Sequence, residues 1–522
     1  MLLGEVEQEL KMFSKITSCA VLGIDGQIIS VEADVNDGLP TFTMVGYLSS
    51  SVKEAGERVR TALKNSGYHM PPKRITINLS PADIRKDGSG FDLPVALAVL
   101  LSMGILPEIN MENTLVLGEL GLDGEVKPIT GVLPMVYHCM KNGINSCIVP
   151  MANAKEAALV RGVKVYGVES LKQAAEFVQG MTVIEPLSSK GNFVIEENLD
   201  DNLDFSDVKG QSTLKRGMEI AAAGFHNVLM TGAAGAGKSM IAKRLPTIMP
   251  KLTFEECIDI TKIYSISGLL DNNNALITKR PFRSPHHTIS NYALVGGGIV
   301  PRPGEVSLAH NGVLFLDEFP EFNKNVLEVM RQPMEDRYIT ISRVNASYLF
   351  PADFMLVAAM NQCPCGNYPN LSKCKCTPYE IKRYQGKISA PLLDRIDITM
   401  EVQPIEFGDL FKDIKEESSK DIRSRVEEAR LRQQHRYREE GINFNSQLDG
   451  KVLKKYITLG NKEEELLKDT FEKNELSARG TYRILRLART IADLAGSERI
   501  ESVHLMEAIF YKNNGRFYNE EV

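Results

Sequence analysis

The sequence predicts an α/β fold: a parallel-sheet core built around a phosphate loop, an α+β unit before it and a helical region after it. Three observations carry that expectation. Gly232-Ala233-Ala234-Gly235-Ala236-Gly237-Lys238-Ser239 matches the phosphate-loop pattern G-x-x-x-x-G-K-[ST] in full. It follows the apolar run Val228-Leu229-Met230 and precedes a helical pattern over Met240–Leu245, the strand–turn–helix context the motif requires. Two further apolar runs, Gly312–Leu316 ending in Asp317-Glu318 and Phe354–Met360 ending in Asn361, read as strands buried on both faces.

Size and composition bound the remaining possibilities. A chain of 522 residues, 43% hydrophobic and 25% charged, is expected to form several globular domains. It has no apolar stretch of about 18 residues, so no membrane-spanning helix is expected. Met1–Lys11 carries three glutamates and no apolar core, which argues against a secretion signal and for a cytoplasmic protein. Met12 is an alternative start. The net charge of −6 excludes a globally basic nucleic-acid binder but not a local basic channel.

Along the chain, residues 12–182 alternate short apolar runs with helical patterns. Strands are expected at Arg74–Leu79 and Cys147–Pro150, and a buried helix from Pro94 to Leu101. Residues 183–204 are polar and acidic, as a linker would be. Residues 205–402 alternate strands and helices, the pattern of a parallel sheet. Within them, Arg337–Arg343 and Tyr348–Phe350 read as a β-hairpin. Residues 403–522 are charged and helical.

The residues at the strand ends point to nucleotide chemistry. Lys238 suits the β- and γ-phosphates of ATP, with the loop residues 232–239 wrapping the phosphates. Ser239 and Asp317 suit Mg²⁺, and Glu318 the polarisation of an attacking water. Asn361 could orient that water. Arg395, in Pro391-Leu-Leu-Asp-Arg395, suits a finger acting on a neighbouring subunit's nucleotide. Arg479 and Arg483, four apart on a helix, could reach the nucleotide from a helical lid.

Four of the eight cysteines cluster as Cys363-x-Cys365, eight residues, Cys374-x-Cys376. Four thiolates suit tetrahedral zinc, with disulfides or free thiols as the alternatives. The helix from Arg423 to Arg438 interleaves arginine with glutamate, which reads as a solvated or subunit-contacting face.

The order of these elements resembles the AAA+ ATPases, within them the magnesium-chelatase branch. The 79 residues from Lys238 to Asp317 leave room for an insertion, Arg280–Pro301. Arg85-Lys-Asp-Gly-Ser-Gly90-Phe-Asp92 and Gly118–Gly131 resemble the Lon protease domain. Ungapped alignment puts Gly90 where Lon's nucleophilic serine belongs and Leu133 where its lysine belongs, so protease activity is not expected. The combination, with Pro303–Phe319, resembles the YifB/ComM family over nearly the whole chain. That resemblance implies a homo-hexameric ring and ATP-driven movement on branched or single-stranded DNA, with no membrane partner. Insertions of this kind line a central pore in the family, which nominates Arg283, His286, His287, Arg302, Arg337 and Arg343 as DNA contacts. A magnesium-chelatase-type motor subunit and an ATP-gated scaffold are the alternatives.

Overall fold

The computed structural model describes residues 13–107, 111, 113–187, 203–271, 275–298, 300–343, 347–403, 416–473 and 476–513. Most of the expected linker (188–202), the start of the C-terminal region (404–415) and Met12 lie outside the described residues.

The N-terminal unit is built on a seven-stranded mixed sheet. Its strands are β1 (Phe13–Leu22), β2 (Asp25–Asn36), β3 (Thr41–Val45), β4 (Arg74–Ser80), β5 (Thr114–Val116), β8 (Ser146–Pro150) and β9 (Lys164–Val168), in the order β3-β4-β2-β1-β5-β8-β9. A small antiparallel pair, β6 (Glu119–Leu120) and β7 (Val126–Lys127), stands beside them. Strand β4 alternates buried Ile75, Ile77 and Leu79 with less buried neighbours, the period-two pattern of a strand with one core face. The longest helices are α1 (Ala55–Asn65), α2 (Asp92–Ser102) and α3 (Val132–Lys141). Helix α2 is buried along its whole length, because an almost uniformly apolar helix must be covered all round. Cys19 meets the distant Cys139 and Cys147 in one core of this unit.

The second unit contains α4 (Ser212–Gly224), β10 (Val228–Gly232), α5 (Lys238–Ile248), α6 (Phe254–Ser267), β11 (Phe282–Arg283), α7 (Asn291–Val295), the pair β12 (Gly296–Gly297) and β13 (Arg302–Pro303), β14 (Val313–Leu316), the hairpin β15 (Tyr338–Ser342) and β16 (Ser347–Pro351), β17 (Met355–Met360) and β18 (Ile398–Val402). Its central sheet has the order β11-β14-β17-β10-β18, and all neighbours are parallel. Strands β10, β14 and β17 are buried at every residue, as expected of a sheet covered on both faces. Parallel strands bring all their carboxyl ends to one edge, so Gly232, Leu316 and Met360 end together.

The C-terminal helices α8 (Ser419–Arg436), α9 (Ala478–Leu494) and α10 (Ser502–Asn513) do not form a core of their own. Val426, Ile484, Ile491 and Leu505 pack in one cluster with Met230, Ile241 and Met400 of the sheet and its helices. The arginine-rich α8 buries the face of Ile422, Val426, Ala429, Arg430 and Gln433 and leaves Lys420, Ser424, Glu428 and Leu431 exposed. Arg425 pairs with Glu219 and Glu417, Arg430 with Glu256, and Arg436 with Asp493. Helix α6 joins the two units. Its Phe254 and Ile258 enter the core cluster of α3, Lys262 lies 3.9 Å over the ring of Tyr137, and the Ser265 hydroxyl donates to the buried Glu156.

Candidate active site

The phosphate loop leaves β10 at the carboxyl edge of the sheet. A Cβ at Gly232 would stand 2.4 Å from the Val402 carbonyl oxygen, so only glycine lets β10 and β18 approach this closely. Gly237 turns the chain into α5 with φ +93°, a left-handed value that favours glycine. The first amides of α5 have no intrahelical carbonyl to bond, and they form the positive end of the helix dipole.

The side chains expected at this edge are assembled there. Lys238 Nζ donates to the carbonyls of Gly232 and Ala233, both at 2.8 Å, and to Asn361 Oδ1 at 3.0 Å. Burial holds the Lys238 ammonium below the usual lysine range, against the opposing pull of Asp317. Ser239 Oγ donates to Asp317 Oδ2 at 2.6 Å, so the two oxygens expected to share Mg²⁺ are already adjacent. Glu318 follows with a left-handed backbone (φ +50°), uncommon for a non-glycine residue. That turn presents its carboxylate beside His287, whose Nδ1 lies 3.3 Å from Oε2. His287, nominated as a DNA contact, is thus a partner of Glu318. These donors fit a Mg²⁺-bound nucleoside triphosphate: two adjacent oxygens for the metal, helix-opening amides and a lysine for the phosphates.

The arginines stand elsewhere. Asn227 immediately precedes β10, and its Nδ2 donates to the Arg395 carbonyl at 3.0 Å, so Arg395 lies at the amino edge of the sheet. The five residues of β10 separate that edge from Gly232 by about 16 Å. Arg395 and Arg479 both pair with Glu335, and Arg483 pairs with Asp397 at 3.4 Å. A cleft of about 320 Å³ joins them. Arg479 and Arg483, expected to reach a nucleotide from a helical lid, thus stand at the amino edge, away from the Lys238 loop of their own chain. Helix α9 packs on α8 and α4, and that packing carries its first turn to the amino edge.

Behind this cleft lies a buried network that the sequence does not announce. Asp397 accepts from the Asn227 amide at 3.2 Å and faces His226 Nδ1 at 3.4 Å, while His226 Nε2 meets Thr490 Oγ1 at 2.8 Å. Burial alone would raise the Asp397 carboxyl, but Arg483 and then His226 outweigh it and hold the group well below the usual aspartate range.

Three family models cover most of the chain. The magnesium chelatase subunit ChlI model matches residues 204–410, a second ChlI model residues 31–153, and the ChlI C-terminal model residues 416–512. The chain is 39% identical to the competence protein ComM of Haemophilus influenzae over 505 residues, covering 95% of this chain and 97% of ComM. It is 40% identical to YifB of Escherichia coli over 494 residues, covering 94% and 96%. The chain belongs to the YifB/ComM magnesium-chelatase-like family. A shorter match, 29% identical over 147 residues, links it to the Lon protease of Salinispora arenicola. Membership of this AAA+ family implies ATP and Mg²⁺, which the donor set at Lys238, Ser239 and Asp317 fits. No described helix is long and apolar enough to cross a membrane.

In this YifB/ComM chain the Lon-type dyad positions hold no reactive pair. Gly90 offers only its carbonyl, bonded to the Gly118 amide, and Leu133 is buried in the core. Ser89 Oγ donates to Glu119, and the fully buried Lys86 turns its ammonium to the Pro81 carbonyl.

The nominated DNA residues divide. Arg283 is neutralised by a two-pronged pair with Glu305, both bonds at 2.6 Å. Arg337 turns away from the hairpin toward Asp353 and the Ser446 carbonyl, because its left-handed backbone (φ +62°) precedes β15. Both of these nominated DNA contacts have intrachain partners in this structure. His286 lies against His287 with ring centres 4.1 Å apart and the rings tilted by 34°. Arg302 and Arg343 line a groove of about 1080 Å³ between the insertion and the N-terminal unit, together with Arg85, Tyr47, Tyr292 and Tyr348.

The four clustered cysteines also come together, all as free thiols. Among the described residues they are the one group of three or more His, Cys, Asp and Glu side chains close enough to share an ion.

Proposed function

We propose that this chain is an ATP hydrolase that assembles as a homo-hexamer and moves DNA, on branched or single-stranded substrates and without sequence preference. The observation that carries the reading is the placement of the two halves of a hydrolytic site on opposite edges of one sheet. Lys238, Ser239, Asp317, Glu318 and Asn361 stand at the carboxyl edge, and Arg395, Arg479 and Arg483 at the amino edge. Such a chain completes its site only by meeting a second copy head to tail, and repeated head-to-tail contacts that close make a ring.

Ser239 and Asp317 would hold Mg²⁺, which would supply positive charge to offset the charge that develops as the γ-phosphate leaves. Lys238 leaves its loop carbonyls for phosphate oxygens, Glu318 accepts the water proton, and Asn361 keeps that water in line. From the neighbouring chain, Arg395 and Arg479 exchange Glu335 for the leaving phosphate.

DNA as the substrate is supported by the relative named for competence and by the arginine- and tyrosine-lined groove. The N-terminal unit then serves as a non-proteolytic scaffold of that groove, and the four cysteines hold structural zinc. The test is turnover with and without forked or three-stranded DNA, beside Glu318→Gln. We expect DNA to raise the rate and strands to separate. Unchanged turnover with no strand separation would remove the motor reading. Light scattering with nucleotide should report six chains.

A further inference from the structure

The cysteine loop is packed onto the phosphate loop itself. Strand β17 ends at Met360, Asn361 bonds Lys238, and Cys363 opens the loop two residues later. The Gly366 carbonyl accepts the Ala234 amide at 3.1 Å. A Cβ at Gly366 would stand 3.1 Å from the Ala234 Cβ and 3.5 Å from Asn361 Nδ2, and its φ is +75°. Gly366 is thus a point where the two loops touch backbone to backbone.

The sulfurs are spaced for a metal. Cys363 Sγ lies 3.4 Å from Cys365 Sγ and 3.7 Å from Cys374 Sγ, and Cys365 and Cys374 are 3.6 Å apart. All four sulfurs fall within 4.8 Å of one another. Zn–S bonds of about 2.3 Å in a tetrahedron require sulfur pairs about 3.8 Å apart, whereas a disulfide requires about 2.05 Å. The Tyr368 amide donates to Cys363 Sγ at 3.4 Å, the outer hydrogen bond a ligating thiolate accepts. The rest of the loop buries little: Leu371 is 80% exposed, and the bonds Cys374 N–H to Asn370 and Asn370 N–H to Asn367 are local. The sulfur cluster is what ties the Cys374 arm back to the Cys363 arm and to Gly366.

We propose that the four cysteines bind Zn²⁺ as a brace that holds Gly366 against Ala234, so that the metal sets the nucleotide affinity of the phosphate loop. The proposal rests on the reading of residues 232–239 as an ATP site. Coupling of this kind is reciprocal: if zinc tightens nucleotide binding, nucleotide must tighten zinc binding by the same factor.

The experiment uses the full chain and needs no turnover. Metal analysis of the purified protein should give one zinc per chain. Removal of the zinc with a chelator should weaken binding of fluorescent Mg·ADP about tenfold, a typical coupling between sites. Saturating ADP should slow zinc release to a chromogenic chelator. Cys374→Ser with Cys376→Ser should lose zinc and weaken ADP together. Gly366→Ala should keep the zinc and still weaken ADP, which separates the brace from general unfolding. Protein without zinc, or zinc removal and Gly366→Ala that both leave ADP affinity unchanged, would overturn the proposal. A zinc-loaded chain that binds no ADP would overturn the ATP-site reading and the brace with it.

Discussion

Glu318 is the residue on which turnover should depend most sharply, and its surroundings say why. Its left-handed backbone places the carboxylate past the end of β14, clear of Asp317, which is occupied by Ser239. On the proposed reading, the two acids are neighbours in sequence with separate duties, one for the metal and one for water. Glu318→Gln keeps size and shape and removes only the basicity. Nucleotide affinity should stay within about twofold while phosphate release falls by about 10²–10⁴, the usual worth of a general base. Equilibrium binding of fluorescent ATP beside a phosphate-release assay checks both halves. Lys238→Ala should instead abolish binding, since the lysine is the one ammonium bonded into the loop at Gly232 and Ala233.

At the scale of elements, the amino edge of the sheet joins two functions in one network. Asp397 opens β18, anchors Asn227 at the start of β10 and holds Arg483 on α9. Its folded carboxyl lies below the unfolded value of 3.8, so its contribution is fully present above that pH and is lost as pH falls below it. Asp397→Asn should cost about 3 kcal/mol at neutral pH, the typical loss on breaking a buried pair. The deficit should stay level from neutrality to about pH 5 and shrink below the ordinary aspartate value near 4. Urea unfolding of both chains across that range measures it. Arg395, just before it in the chain, should act on a partner's nucleotide rather than its own chain's. Arg395→Ala alone should lower turnover about a thousandfold. Mixed with Lys238→Ala it should recover activity at about one interface in four; no recovery on mixing would place the arginine's action within its own chain. The carboxyl-edge half of this machinery was legible in the sequence, because Gly232–Ser239, Asp317-Glu318 and Asn361 each sit at the end of an apolar run that names its strand. Of the amino-edge half, the arginines Arg395, Arg479 and Arg483 were legible but their partners and their edge of the sheet were not. Glu335, Asp397 and His226 are single polar residues with no local pattern, and they meet only through the crossover order of the sheet. Helix α9 showed its helical period but not its direction of approach, which α4 and α8 decide. The approach of Gly366 to Ala234 had no local sign either, because it arises from β17 and β10 being neighbours.

At the scale of the whole molecule, the insertion between β11 and β14 faces two ways. One end carries His287 to Glu318, and the other carries Tyr292, Gly296–Gly298 and Arg302 to the groove against the N-terminal unit. The groove mixes charges: Arg85 pairs with Asp87 at 3.0 Å, while Arg343 donates to the Gly298 carbonyl at 2.9 Å and has no carboxylate partner among the described residues. The arginines open to phosphate are therefore Arg302 and Arg343, and Tyr292, 69% exposed, offers a ring face to a base. A strand held this way is held by charge and stacking, which every sequence supplies. Binding of single-stranded DNA should weaken steeply with salt. Arg302→Ala with Arg343→Ala should flatten the salt dependence by about one to two units of slope, one for each phosphate that is no longer neutralised. Tyr292→Ala should cost about 1–3 kcal/mol and leave the slope unchanged, because stacking releases no counterions. Fluorescence anisotropy of a labelled oligonucleotide, titrated at several salt concentrations and repeated with a second sequence, separates these outcomes. A slope that the arginine pair leaves untouched would place the DNA path outside this groove, and the N-terminal unit would then brace the insertion without touching the strand.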